Sequence, residues 1–160
     1  MSDRLKTAGI ISLAAVFFIA DRALKRLFLT AWRQDDFKII GNWVNLKLAG
    51  NPGIAFSLPF NRYLIILLTI LALIILIYSA WLNHHRKNFY LFFAFVIVII
   101  GAYSNLLDRT TIGSVVDYID LKYFSILNLA DIMITGGIAM ILFSIFKRES
   151  NKKNRLELEG

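Results

Sequence analysis

The chain has no cysteine, and only two of its 160 residues are histidine. The first absence removes thiol catalysis, disulfides and thiolate metal sites together. The second leaves imidazole at one place only: His84 and His85 are adjacent in a short polar connector and read as a solvated interfacial pair rather than as ligands. Charge is also scarce, since 18% of residues are charged and 58% hydrophobic, with a mean hydropathy of +0.62. That composition excludes an ordinary soluble domain and makes lipid the main solvent of a single-domain chain. The formal charge of +7 comes from Lys and Arg concentrated beside apolar runs, a pattern of membrane orientation and not of nucleic-acid binding. No internal repeat or interdomain linker is visible.

What the chain does have is long uncharged runs. Tyr63 to Leu82 is twenty residues without a charge, enough to cross a hydrocarbon core of about 30 Å at about 1.5 Å per residue. Phe89 to Leu107 is apolar until Ser104 and Asn105, and Ile126 to Phe146 carries Asn128 and Asp131 near its start. The run Ala8 to Ala20 follows a basic segment, as in a secretory signal, but no convincing small-x-small cleavage site follows it. Its helical pattern continues through Ala23, Leu24, Leu27 and Phe28, so it is read as a retained span. The expectation is an all-α membrane protein of four transmembrane helices, at about 8–28, 63–82, 89–107 and 126–146, forming one domain over 1–160.

Four spans put both termini on one side, with the Asn83 to Asn88 connector. Arg4, Lys6, Arg86, Lys87, Lys147, Arg148, Lys152, Lys153 and Arg155 gather there, which makes that side cytoplasmic by the positive-inside rule. The tail 147–160 is expected to be a disordered cytoplasmic anchor. In the outer loop 30–61, Val44, Leu46 and Leu48 alternate with Asn45 and Lys47, and Asn51-Pro52-Gly53 supplies a turn. A small β-containing appendage on the outer membrane surface follows.

The awkward polar residues fall at one depth. Asp21 and Lys25 lie at the outer end of the first span, Asn105, Asp108 and Arg109 at that of the third, and Asn128 and Asp131 open the fourth. The loops bearing Asn51 and Asp117 are external too. An ionisable residue inside a span costs about 3 kcal/mol on insertion scales and is a functional hypothesis by default. Several have ordinary structural roles: Asp21 and Lys25, at i, i+4, can neutralise each other, Asp108 and Arg109 can form an interfacial pair or snorkelling anchor, and Asn128 can orient Asp131 from three residues away. Gly101, Ala102, Gly136 and Gly137 permit close helix approach. Asp131 is different, with no cation at i±3 or i±4, and its partner must come from elsewhere.

Asp117 returns to the same leaflet. Two carboxyls within a few ångströms share a proton, and an aspartyl peptidase uses that state: the ionised member takes a proton from water while the protonated one donates to the scissile carbonyl. Spacing alone leaves Asp108 and Asp120 as neighbours in the same region. A zinc or Ser-His site would need histidine beside the carboxylates, whereas both histidines belong to the opposite face. A Ser-Lys dyad of Lys25 with Ser57 or Ser104 is a further alternative. So is a non-enzymatic bundle, an ion-coupled transporter or channel subunit, although Tyr63 to Leu82 offers only Thr69 and Ser79 as non-phenolic hydroxyls and the inner half of the fourth span only Ser144.

Four segments in order resemble the motifs of lipoprotein signal peptidase, or signal peptidase II, a family of bacterial membrane aspartyl endopeptidases. They are Asp21-Arg22-Ala23-Leu24-Lys25, Asn51-Pro52-Gly53-Ile54-Ala55-Phe56-Ser57, Asn105-Leu106-Leu107-Asp108-Arg109 followed by Gly113 and Val116-Asp117, and Asn128-Leu129-Ala130-Asp131. The resemblance implies removal of the signal peptide from diacylglyceryl-modified prolipoproteins, by cleavage before the lipid-bearing cysteine, in a bacterial inner membrane. It implies Asp117 and Asp131 as the catalytic pair, Asn51, Gly53, Asn105, Arg109, Asn128 and Ala130 lining or shaping the pocket, and Asp21 and Lys25 in support. It implies no metal or organic cofactor, partners limited to prolipoprotein substrates and membrane lipids, and a monomer. The chain departs from the family pattern at Arg22, where glutamine is usual, at Ser104, where glycine is common, and at Leu127, where phenylalanine is usual. The stretch between the two aspartates is short, which is expected to shrink a segment covering the site.

Overall fold

A computed structural model describes residues 2–31, 37–41, 43–53 and 61–159. Four long helices, α1 (Asp3–Thr30), α2 (Arg62–His85), α3 (Phe89–Thr111) and α4 (Leu129–Glu159), accompany four strands, β1 (Phe37–Ile40), β2 (Val44–Asn51), β3 (Val115–Leu121) and β4 (Ile126–Leu127). All four helices are long and apolar enough to cross a membrane. Ile54 to Ser57, the end of the second motif, lies outside the described residues, as does Arg33 in the outer loop.

Polar side chains set the helix ends. Ser2 accepts from the Leu5 N–H to open α1, and Asn61 accepts from the Tyr63 and Leu64 N–H groups to open α2. Between α2 and α3 the connector is short enough that one residue serves both helices. Lys87 adopts a left-handed φ of 56°, its N–H donates to His84 O, and the Asn88 N–H donates to Asn83 O, which closes α2 in a Schellman motif. Asn88 Oδ1 then accepts from Leu91 N to start α3. His84 and His85 thus belong to the last turn of α2 rather than to a connector. His84 is half-buried and shares a hydrogen bond with Thr7 of α1 at 3.0 Å.

Helix α3 is the centre of the bundle, carrying buried Phe92, Ala94, Val96, Ile97, Val98, Gly101, Ser104, Asn105, Leu106 and Asp108 while α1, α2 and α4 pack around it. Leu67, Ile74 and Ile75 of α2 and Phe143 of α4 point outward, as side chains facing acyl chains do. Close approach of α3 and α4 rests on two glycines. A Cβ at Gly101 would sit 2.6 Å from Ala130 O, and one at Gly137 would meet Val98 and the Ala94 carbonyl. Gly136 has open space instead, so it plays no part in that contact.

The strands form one antiparallel sheet in the order β1-β2-β3-β4. It takes more of the chain than the sequence suggested. Val115 to Leu121, the segment carrying Asp117, is a strand paired with β2, with Ala49 opposite Asp117 and Asn51 opposite Val115. Ile126 and Leu127, expected to begin the fourth span, instead pair with Asp120 and Ile119. Both are apolar, so hydropathy could not separate strand from span, and the break comes only at Asn128.

The tail also departs from expectation: α4 continues through Glu159 instead of becoming disordered after Phe146. From Lys147 to Glu159 the chain has no Gly or Pro and is rich in Lys, Arg, Glu and Leu, all good helix formers. The helix therefore propagates outward from its apolar part.

Candidate active site

Three local structures bring the candidate carboxylates together. Gly113, with φ +99°, ends α3 and turns the chain into β3, whose alternation sends Asp117 to one face and Val116 and Tyr118 to the other. Asn51 and Asp117 share a face of the β2–β3 pair, one diagonal step apart, and hydrogen-bond through their side chains. The third device is a capping box at the start of α4. The Asp131 N–H donates to Asn128 Oδ1 at 2.9 Å, and the Asn128 N–H donates back to Asp131 Oδ2 at 3.2 Å. The same Asn128 uses Nδ2 to donate to Asp117 Oδ1 at 2.6 Å. One fully buried amide thereby ties both carboxylates into a single unit.

Asn105 joins that unit from α3. Its Nδ2 donates to Asp131 Oδ1 at 2.8 Å, while its Oδ1 accepts from Lys25 Nζ at 2.8 Å and from Asn128 Nδ2 at 3.2 Å. Arg109 donates from Nη2 to Gly53 O at 3.0 Å and feels the charges of Asp131 and Asp117. Its buried Nε has no hydrogen-bond partner among the described residues. Gly53 is held by its N–H to Asn51 Oδ1 at 3.1 Å, an Asx turn that fixes the carbonyl Arg109 uses. Ala130 is fully buried under Gly101 and donates its N–H to Asp21 Oδ1 at 3.1 Å.

A polar cluster lies behind this constellation. Lys25, fully buried, meets Asp21 at 3.1 Å and Asp108 at 2.8 Å. Asp108 also pairs with Arg22, so it is not the partner of Arg109 that adjacency suggested. Asp21 is shared between Lys25, the Ala130 N–H and the Ser104 hydroxyl. A Ser-Lys dyad with Ser104 does not fit, because Ser104 Oγ donates to Asp21 and Lys25 spends its ammonium on two carboxylates and an amide. Ser57 lies outside the described residues.

Sequence reasoning missed Tyr118, which stacks on Phe28 of α1 with ring centroids 4.7 Å apart and accepts the Leu129 N–H at 3.0 Å. Its phenol satisfies one of the free donors at the start of α4, and burial raises its pKa. Alternation along Val115-Val116-Asp117-Tyr118 was the available signal. Asp120 lies on the Tyr118 side of the strand, away from Asp131.

Burial, and then the charge of Asp131, raise the Asp117 carboxyl from 3.8 to about 6, against the hydrogen bonds from Asn128 and Asn51 and the charge of Lys25. A carboxyl that titrates there can hold or release a proton near neutrality, as acid–base catalysis requires. Two cavities open on Asp131. One of about 330 Å³ is lined by Asn51, Arg109, Asp131, Phe124, Leu127 and Thr135, among others. A second, of about 500 Å³, runs between α2 and α3–α4 past Ile65, Leu68, Ala72, Leu76 and Val98. Both reach Asn105, Arg109, Asp131 and Ile134, so they meet at Asp131. Among the described residues no group of three or more His, Cys, Asp or Glu side chains is arranged to hold a metal ion.

The model of a family described as signal peptidase (SPase) II matches residues 13–147. A lipoprotein signal peptidase of Staphylococcus aureus (strain bovine RF122 / ET3-1) is 31% identical over 150 residues, covering 89% of this chain and 91% of the relative. One of Caldicellulosiruptor bescii is 34% identical over 131 residues, covering 81% of this chain and 85% of the relative. A bacterial membrane enzyme solved by the in meso method at 2.3 Å superposes with a TM-score of 0.82 at 29% identity, over 91% of this chain and 92% of that one.

Proposed function

The chain belongs to the signal peptidase II family, and from that premise we propose which of its groups perform the reaction and at which membrane face. It is a multi-pass bacterial membrane peptidase of the aspartic type that removes signal peptides from prolipoproteins. The non-enzymatic bundle has no support from these relatives.

Asp117 and Asp131 are the catalytic pair. The observation that carries this reading is the Asn128 bridge, a buried side chain that donates to Asp117 while its own backbone and carbonyl are locked to Asp131. Held in this way, the pair shares a proton. The ionised member takes a proton from a water molecule as its oxygen attacks the scissile carbonyl, and the protonated member donates to the carbonyl oxygen, giving a tetrahedral gem-diol. Collapse returns a proton to the departing nitrogen and regenerates the shared state.

The cavities suit a substrate that is itself anchored in lipid. The apolar cavity between α2 and α3–α4 takes hydrocarbon or the signal helix, while the one bounded by Asn51, Arg109 and β4 takes the polar backbone beside the bond to be cut. The bond is the one before a diacylglyceryl-modified cysteine, and the site lies near the outer face with both termini in the cytoplasm. Mass spectrometry of a lipidated precursor peptide incubated with purified protein tests the assignment. Cleavage before the lipidated cysteine is expected, and its loss in Asp117→Asn and in Asp131→Asn, with both variants still inserted and folded. The double variant should be little worse than either single one, since the carboxyls act as a unit. Near wild-type cleavage by Asp117→Asn, with Asp108→Asn or Asp120→Asn inactive, would move the dyad elsewhere.

A further inference from the structure

The cluster behind the carboxylates holds four charges: Asp21 and Lys25 with no exposed side-chain surface, Asp108 equally enclosed, and Arg22 with 31% of its side chain exposed. They sum to zero, and Arg22 supplies the second positive charge. Its Nη1 lies 2.5 Å from Asp108 Oδ1 and 3.3 Å from Ser104 Oγ, and it also reaches the Ser104 carbonyl at 3.4 Å. Ser104 in turn donates to Asp21. Arg22 and Ser104 are therefore in contact and close a ring through the two buried carboxylates.

Each of those carboxylates holds the backbone directly before a catalytic aspartate. Asp108 Oδ2 accepts the Val116 N–H at 3.3 Å, one residue before Asp117, and Asp21 Oδ1 accepts the Ala130 N–H at 3.1 Å, one residue before Asp131. Lys25 links the two carboxylates and passes to Asn105, which contacts Asp131. We infer that Arg22, through Asp108 and Ser104, is a positioning residue that fixes the spacing of the two catalytic carboxyls; the inference rests on the Asp117–Asp131 assignment above. Arg22 touches neither carboxyl. It acts by keeping Asp108 and Asp21 aimed at the two N–H groups, so that both strand and helix present their aspartates in one geometry.

Its removal has an electrostatic consequence that loss of packing does not share. Lys25 from α1 and Arg109 from α3 are the charged groups that face the dyad, and Asp21 and Asp108 lie behind them, both paired with Lys25. With Arg22 replaced by glutamine, the cluster carries a net negative charge behind the pair, which favours the protonated Asp117 carboxyl and moves the limb of the activity profile that Asp117 sets to higher pH.

The test measures kcat, KM and the pH profile of cleavage for Arg22→Gln and Arg22→Lys in full-length protein purified in detergent, alongside Asp117→Asn and Asp131→Asn. Arg22→Gln is expected to lower kcat by about tenfold with KM nearly unchanged, and to shift the profile upward. Arg22→Lys keeps the charge but not the fork, so its profile should return to that of the wild type while part of the kcat loss persists. An Arg22→Gln enzyme with wild-type kcat and profile would overturn the inference, as would one whose loss follows only the folded fraction with no shift. Should Arg22→Gln fail to fold, Arg22→Lys decides: a lowered kcat on an unmoved profile supports positioning, and a wild-type kcat refutes it. If the two asparagine variants remain active, the dyad assignment is what fails; if they are inactive and the Arg22 variants are wild type, only this inference does.

Discussion

Asn128 does two jobs with its side chain because an amide carries both a donor and an acceptor, where an ionised carboxylate would lack the donor, and a third with its backbone. Its Oδ1 caps α4, its Nδ2 reaches Asp117, and its backbone N–H returns to Asp131. The carboxyl it supports titrates in an unusual place. An ordinary aspartate would lose its proton near 4, whereas Asp117 keeps its proton until about pH 6, because burial and the charge of Asp131 disfavour ionisation. The reaction needs one protonated carboxyl, so kcat/KM should decline as pH rises through about 6, well above the range in which an unperturbed acid would ionise. A profile of kcat/KM against pH measures this directly; a decline centred near 4 would show that Asp117 is not the group that titrates. Asp120, on the other side of the strand, should tolerate Asp120→Asn with most activity retained.

At the scale of elements, β3 and α4 deliver the carboxylates, and α3 holds α4 through Asn105 and the glycine contacts and β3 through Asp108, which accepts the Val116 N–H. Gly137 and Gly136 are neighbours with opposite surroundings, which allows a controlled comparison. Gly137→Ala drives a methyl into Val98 and the Ala94 carbonyl, so α3 and α4 must separate, at a cost of about 1–3 kcal/mol. Gly136→Ala meets nothing within 4 Å and should be neutral or stabilising by about 0.5–1 kcal/mol through helix propensity. Thermal unfolding in detergent should rank Gly137→Ala well below Gly136→Ala, and equal midpoints would remove the close-contact role. The sequence carried the helices and the Asn128-to-Asp131 spacing openly, because length, hydropathy and i, i+3 geometry are local properties. It concealed β4, since Ile126 and Leu127 are as apolar as a span, and it concealed the pairing of Asp108, whose partner Arg22 is 86 residues away. Long-range pairing leaves no period to detect.

At the scale of the whole molecule, the bundle is polar at one end and apolar or basic at the other. The buried cluster, the sheet and both cavities belong to the end where α1 and α3 finish and α4 begins. At the opposite end Lys6 lies over Phe89, Asp3 pairs with Lys6 and Lys87, and α4 runs on past Lys147 and Arg148. Positive charge flanking spans is retained in the cytoplasm during insertion, and the proposed orientation therefore turns this end inward and the carboxylates outward. In that orientation a lipid-anchored substrate would reach the site by lateral diffusion, its acyl chains remaining in hydrocarbon while water enters from the outer surface. Reporter fusions distinguish the two orientations. Fusions after Ser150 and at the Arg86–Lys87 turn should report cytoplasm, and fusions in 30–61 the outer side. The inverted result would put the carboxylates at the inner leaflet and leave nine Lys and Arg residues outside. A cytoplasmic signal from 30–61 with an outer signal after Ser150 would therefore refute the orientation while leaving the Asn128-bridged carboxylates unchanged.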